Sequence, residues 1–105
     1  MKTFNDLKFN ERNYGGIQAI MDLEDDVFIS VVAGENMYST PKNNHSDPNH
    51  FEEFEVALMK KDSDGKSEFV TQDYFPNFGD DVMGYQNRAQ INTTLWSFYT
   101  NVKEK

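Results

Sequence analysis

Ile17-Gln18-Ala19-Ile20-Met21-Asp22-Leu23, then Glu24-Asp25-Asp26, then Val27-Phe28-Ile29-Ser30-Val31-Val32-Ala33, is the stretch that decides the fold. In its first arm Ile17, Ala19, Met21 and Leu23 fall on one side of an extended chain. Gln18, Ile20 and Asp22 fall on the other. The second arm puts Val27, Ile29, Val31 and Ala33 on one side and Phe28 and Val32 on the opposite side. That arm is apolar on both faces, which suits a central strand or one covered by a helix or loop. Three acidic residues between the arms make the turn, and the whole reads as a β-hairpin.

Downstream, Phe51–Met59 alternates again, with Phe54, Val56 and Leu58 on one face and Glu53, Glu55, Ala57 and Met59 on the other. Lys60–Lys66 carries Asp64-Gly65 at its centre, a strong turn signal, and Ser67–Gln72 returns as a fourth strand. The aromatic run Tyr74 to Gly79 contains Pro76, which argues against a continuing central strand. Asn87 then opens a helix, with Gln90 three residues on completing a capping box. Ile91, Leu95, Phe98 and Val102 recur at helical spacing, and Trp96 and Tyr99 widen the stripe. Lys103 and Lys105 suit the negative end of the helix dipole.

Upstream, Leu7–Phe9 reads as a short edge strand and Gly15-Gly16 as a turn. Residues 34–50 are turn and loop chemistry throughout, and seventeen residues is long for a passive connection. Such a loop is expected to be functional or poorly ordered. The expectation is one domain, 1–105: an α+β fold with an antiparallel sheet of about four strands, two hairpins, packed against one C-terminal amphipathic helix.

Composition narrows the function. The chain has 105 residues, no cysteine and a formal charge of -8, which removes disulfides and zinc–thiolate sites. The acidic balance lacks the basic patch that direct nucleic-acid binding requires, and disfavours an anionic membrane. No signal peptide or membrane-length apolar run is present, so a cytoplasmic setting is expected. Aromatics, at 14% of the chain, supply a core that the modest apolar share alone would not.

Tyr14-Gly15-Gly16-Ile17-Gln18-Ala19, Phe54–Met59 and Asp80-Asp81-Val82-Met83-Gly84-Tyr85 resemble segments of small uncharacterised proteins of phages and other mobile elements. The resemblance implies no activity and no catalytic residues. It implies a context: inhibition of a host defence nuclease, in the host cytoplasm. Those relatives have a shorter connection where this chain has residues 34–50.

Three groups of carboxylates stand out: Asp22, Glu24, Asp25 and Asp26; Glu52, Glu53 and Glu55; Asp80 and Asp81. If the strand ends that carry them are neighbours, they form one acidic rim able to occupy a basic protein groove. That is the expected partner-binding site. No catalytic residue, metal ligand or cofactor is assigned. His45, Asp47 and His50 match no strong metal signature. Asp62-Ser63-Asp64-Gly65 is too short for a calcium loop. Two alternatives stand beside the acidic binder. One is a homo-oligomer, such as a homodimer, built through an apolar sheet edge or helix face. The other is a small metal-dependent hydrolase using Asp80, Asp81 and the acids near Glu52.

Overall fold

The computed structural model describes residues 1–13 and 15–104. Tyr14 of the resemblance segment and Lys105 of the helix end lie outside them. An antiparallel sheet of six strands packs one face against a C-terminal helix. The strands are β1 (Asn10–Glu11), β2 (Ile17–Asp22), β3 (Val27–Ala33), β4 (Phe54–Lys61), β5 (Ser67–Phe69) and β6 (Met83–Gln86). A short helix α1 (Thr71–Tyr74) follows β5, and α2 (Arg88–Glu104) closes the chain.

The sheet runs β1-β2-β3-β4-β5, and β6 also pairs with β4. Both faces of β3 are buried along its whole length, as its two-sided pattern requires of a central strand. On the helix side Ile17, Ala19, Met21, Ile29, Val31, Phe54, Val56 and Leu58 join Ile91, Leu95 and Phe98 in one core. The box at the start of α2 forms in both directions: the Asn87 N–H donates to Gln90 Oε1 and the Gln90 N–H to Asn87 Oδ1, each at 2.8 Å.

Two more strands exist than the two hairpins supply, and both are short. The edge strand lies at Asn10–Glu11 rather than Leu7–Phe9, because Leu7 is drawn into the core. The fourth strand ends at Phe69, and Thr71 and Gln72 begin α1 instead. The third begins at Phe54, with Phe51 fully buried ahead of it.

Thr71 explains how β4 carries two partners on one edge. Its buried Oγ1 accepts the Leu58 N–H at 2.9 Å and donates to the Asp81 carbonyl at 2.7 Å, while the Val70 N–H donates to the Leu58 carbonyl at 2.9 Å. A side-chain hydroxyl therefore stands where a ladder carbonyl would, and bridges the gap between β5 and β6. Trp96 does not widen the buried stripe. It is 57% exposed while Tyr99 is buried.

The 34–50 loop is tied down at many points. Ser39 is buried, and its hydroxyl bonds both the N–H and the carbonyl of Gly34 at 3.1 Å. Thr40 bridges to Glu53 as an isolated β pair. Asp47 caps a single 3-10 turn at Pro48–His50. Arg88, from the first turn of α2, donates to the carbonyls of Phe51 and Pro48 at 3.0 Å each. Its guanidinium lies 5.0 Å from the Phe4 ring centroid and 5.3 Å from that of Phe54.

Candidate functional site

The β2–β3 turn holds the first acidic group. The Val27 N–H donates to the Glu24 carbonyl at 3.0 Å, and both central residues have positive φ, 58° at Asp25 and 62° at Asp26. Aspartate tolerates that region better than most side chains, and tight hairpins demand it at both centres. Glu24, Asp25 and Asp26 are all exposed at the tip. Asp22 ends β2, where its carbonyl accepts from Lys2 Nζ at 2.7 Å.

The register then separates the groups expected to form one rim. Val27 pairs with Lys60, and Val32 pairs with Glu55. The turn therefore neighbours Lys60 and Lys61, while Glu52, Glu53 and Glu55 lie at the far end of the sheet. Five residues of strand separate the two, about 17 Å. Glu53 and Glu55 also have local work. Glu53 Oε1 accepts from Thr40 Oγ1 at 2.7 Å, and Glu55 Oε1 accepts the Tyr38 N–H at 3.1 Å. Asp80 and Asp81 occupy a third place, beside the middle of β4 near Thr71. There Asp81 Oδ1 accepts from Gln72 Nε2 at 2.9 Å. No continuous rim joins Asp22–Asp26, Glu52–Glu55 and Asp80–Asp81.

A different set of acids meets at the turn. β4 ends and β5 begins at that same end of the sheet, so Asp62 and Asp64 of their turn lie there too. On the helix side, burial raises the pKa of Tyr74, and Asp25 and Asp73 raise it further. Burial likewise raises that of Tyr99; a backbone hydrogen bond from Lys2 works against it, and Glu24 and Asp6 add to the rise. Asp25 and Asp73 thus act on the half-buried Tyr74, and Glu24 and Asp6 on the buried Tyr99. The signal in the sequence was faint, since these residues are neighbours only through the register.

His45, Asp47 and His50 are turned onto their own loop. The His rings stack at 4.2 Å, the Asp47 N–H donates to His45 Nδ1, and His50 Nε2 bonds Asn43 Oδ1 at 2.7 Å. In the Asp62–Lys66 turn, Asp62 Oδ1 accepts the N–H groups of Asp64 and Lys66. Among the described residues no three His, Asp or Glu side chains are grouped to hold a metal ion. The convergence that a hydrolase at Asp80, Asp81 and Glu52 requires is missing from that set.

The face of the sheet away from α2 is the other feature. Three rows cross it: Gln18, Val32 and Glu55; Ile20, Ser30 and Ala57; Asp22, Phe28, Met59 and Phe69. None of these residues belongs to the core cluster. Small side chains at Ser30 and Ala57 leave a trough of about 210 Å³, walled by Arg12, Met37, Met59 and Phe69. Ile20 is 58% exposed and Phe69 48%. At one end of the face Asp22, Asp26 and Lys61 surround Phe28. Near the other, Tyr38 and Tyr85 lie 6.0 Å apart with Lys42 over both rings. Ile20 is visible in the sequence as an apolar residue between Gln18 and Asp22; the trough is not, because it needs the cross-strand register.

No protein-family model, curated protein or solved structure matches this chain. Among the described residues no helix is long and apolar enough to cross a membrane.

Proposed function

We propose that the chain is a protein-binding module whose open sheet face receives a basic, amphipathic segment of a partner. The observation that carries this reading is the open sheet face: exposed Ile20 and Phe69, a trough lined by Ser30, Val32, Ala57, Met59 and Phe69 together with Arg12 and Glu55, and Asp22 and Asp26 beside Phe28 at the hairpin end. Exposed apolar patches with polar borders are typical of interaction sites, and a net charge of -8 steers cationic partners toward the chain. In the mobile-element context that the sequence resembles, the partner is the nucleic-acid-binding surface of a defence nuclease. Steering rather than mimicry of phosphate spacing supports this, since the acids form no continuous row.

A homodimer through the same face is the second reading, and the net charge of -8 on each copy weighs against it, since like-charged surfaces repel.

The test is a residue-resolved NMR titration with a synthetic amphipathic Leu/Lys helix. Shifts should map to Ile20, Ser30, Ala57 and Phe69, weaken with added salt, and be lost in Ile20→Glu and Phe69→Glu. Shifts confined to α2, or an affinity indifferent to salt, would overturn the reading. A concentration-dependent mass in sedimentation, abolished by Ile20→Glu, would favour the dimer.

A further inference from the structure

On the other side of the molecule a groove of about 520 Å³ runs between α2 and the segment 74–78. Its volume falls within the roughly 300–1,000 Å³ of small-molecule sites. One wall is aromatic and apolar: Phe75, Pro76 and Phe78, with Met83 at the base. The facing wall is the hydroxyl side of α2, Thr93, Thr94 and Ser97. Not one of the lining side chains carries a formal charge, although 27% of the chain is charged.

The hydroxyls differ in what they do. Thr93 Oγ1 donates to the Ala89 carbonyl and Thr100 Oγ1 to that of Trp96, the usual back-bond of a helical threonine. Among the described residues Thr94 and Ser97 make no such bond, and both are half-buried against the groove. They stand three residues apart on one helix face, so both reach the same ligand. Each can donate or accept.

We infer that this groove binds an uncharged aromatic heterocycle, its ring stacked on Phe78 and its polar edge bonded by Thr94 and Ser97. An aromatic wall favours a ligand with a π face. Two free hydroxyls opposite it favour polar atoms on the ring edge. The neutral lining offers no partner for a ligand charge, and the chain's negative field repels an anionic one. The site is separate from the open sheet face, and its test does not depend on that reading.

The experiment titrates the full chain with adenosine, uridine and caffeine, with AMP and glucose as charged and non-aromatic counterparts, read by NMR shifts. At least one heterocycle should give saturable shifts at Phe75, Phe78, Thr94 and Ser97. AMP should bind more weakly than adenosine, and glucose should not saturate. Phe78→Ala should weaken binding by about tenfold, as expected for losing one aromatic stack. Because Phe78 is half exposed, circular dichroism should remain unchanged in that variant. Ser97→Ala should weaken binding while Ile20→Glu leaves it intact. No saturable shift from any of the three up to about 10 mM, equal binding of AMP or glucose, or a Phe78→Ala variant that binds normally would each overturn the inference.

Discussion

Thr71 shows how much one side chain can decide. It accepts the Leu58 N–H and donates to the Asp81 carbonyl from a fully buried position. Thr71→Val keeps the shape and strands both groups, so it should cost about 1–3 kcal/mol. Thr71→Ser keeps the hydroxyl and loses only a methyl, at about 1 kcal/mol. Urea denaturation of the pair distinguishes the hydroxyl from the packing, and a neutral Thr71→Val would refute its bridging role. Arg88 has a comparable role between elements. It donates to two carbonyls of the 48–51 segment and stacks on two rings. Lysine offers a point charge without the planar fork. Arg88→Lys is therefore expected to lose about 1–3 kcal/mol and to speed hydrogen exchange at His50 and Phe51.

Elements were legible wherever the local pattern had one interpretation. β3 is apolar on both faces and is central. Asn87 and Gln90 make the reciprocal cap. β6 was hidden because Met83-Gly84-Tyr85-Gln86 contains a glycine and a tyrosine with φ of 55°. Its strand character comes from pairing with β4, not from propensity. The same non-local pairing decides the candidate site. Which acids meet depends on the β3–β4 register across a long connection, and no local signal carries that. The β2–β3 turn offers a direct check. Both Asp25 and Asp26 have positive φ, where glycine is unstrained but loses more chain entropy on folding. Asp26→Gly should therefore stabilise by about 0.5–1 kcal/mol, and it also removes one of several like charges. A lower thermal midpoint for Asp26→Gly would show that the turn carries no such strain.

For the molecule as a whole, charge and core meet at the hairpin end. Tyr99, carried by α2, lies buried in the core, within the field of Glu24 and Asp6; Tyr74 lies under that of Asp25 and Asp73. Burial and these carboxylates disfavour both phenolates and outweigh the Lys2 backbone hydrogen bond at Tyr99, so the folded pKa of each lies above its ordinary value of 10.0. The unfolded chain then releases these protons at lower pH than the folded one does. Below about pH 10 both states hold them, and the stabilisation is complete. As pH rises from there through the folded values, the unfolded state is favoured and stability falls. Thermal midpoints from pH 8 to 11 should therefore decline steeply above about pH 10. Tyr99→Phe should flatten that decline, because phenylalanine has no proton to lose. Glu24→Gln, which removes one nearby negative charge, should flatten it partially while keeping the ring. If Tyr99→Phe retains the full alkaline slope, burial and the nearby Glu24 and Asp6 do not hold the Tyr99 proton, and that ring makes no pH-dependent contribution to stability.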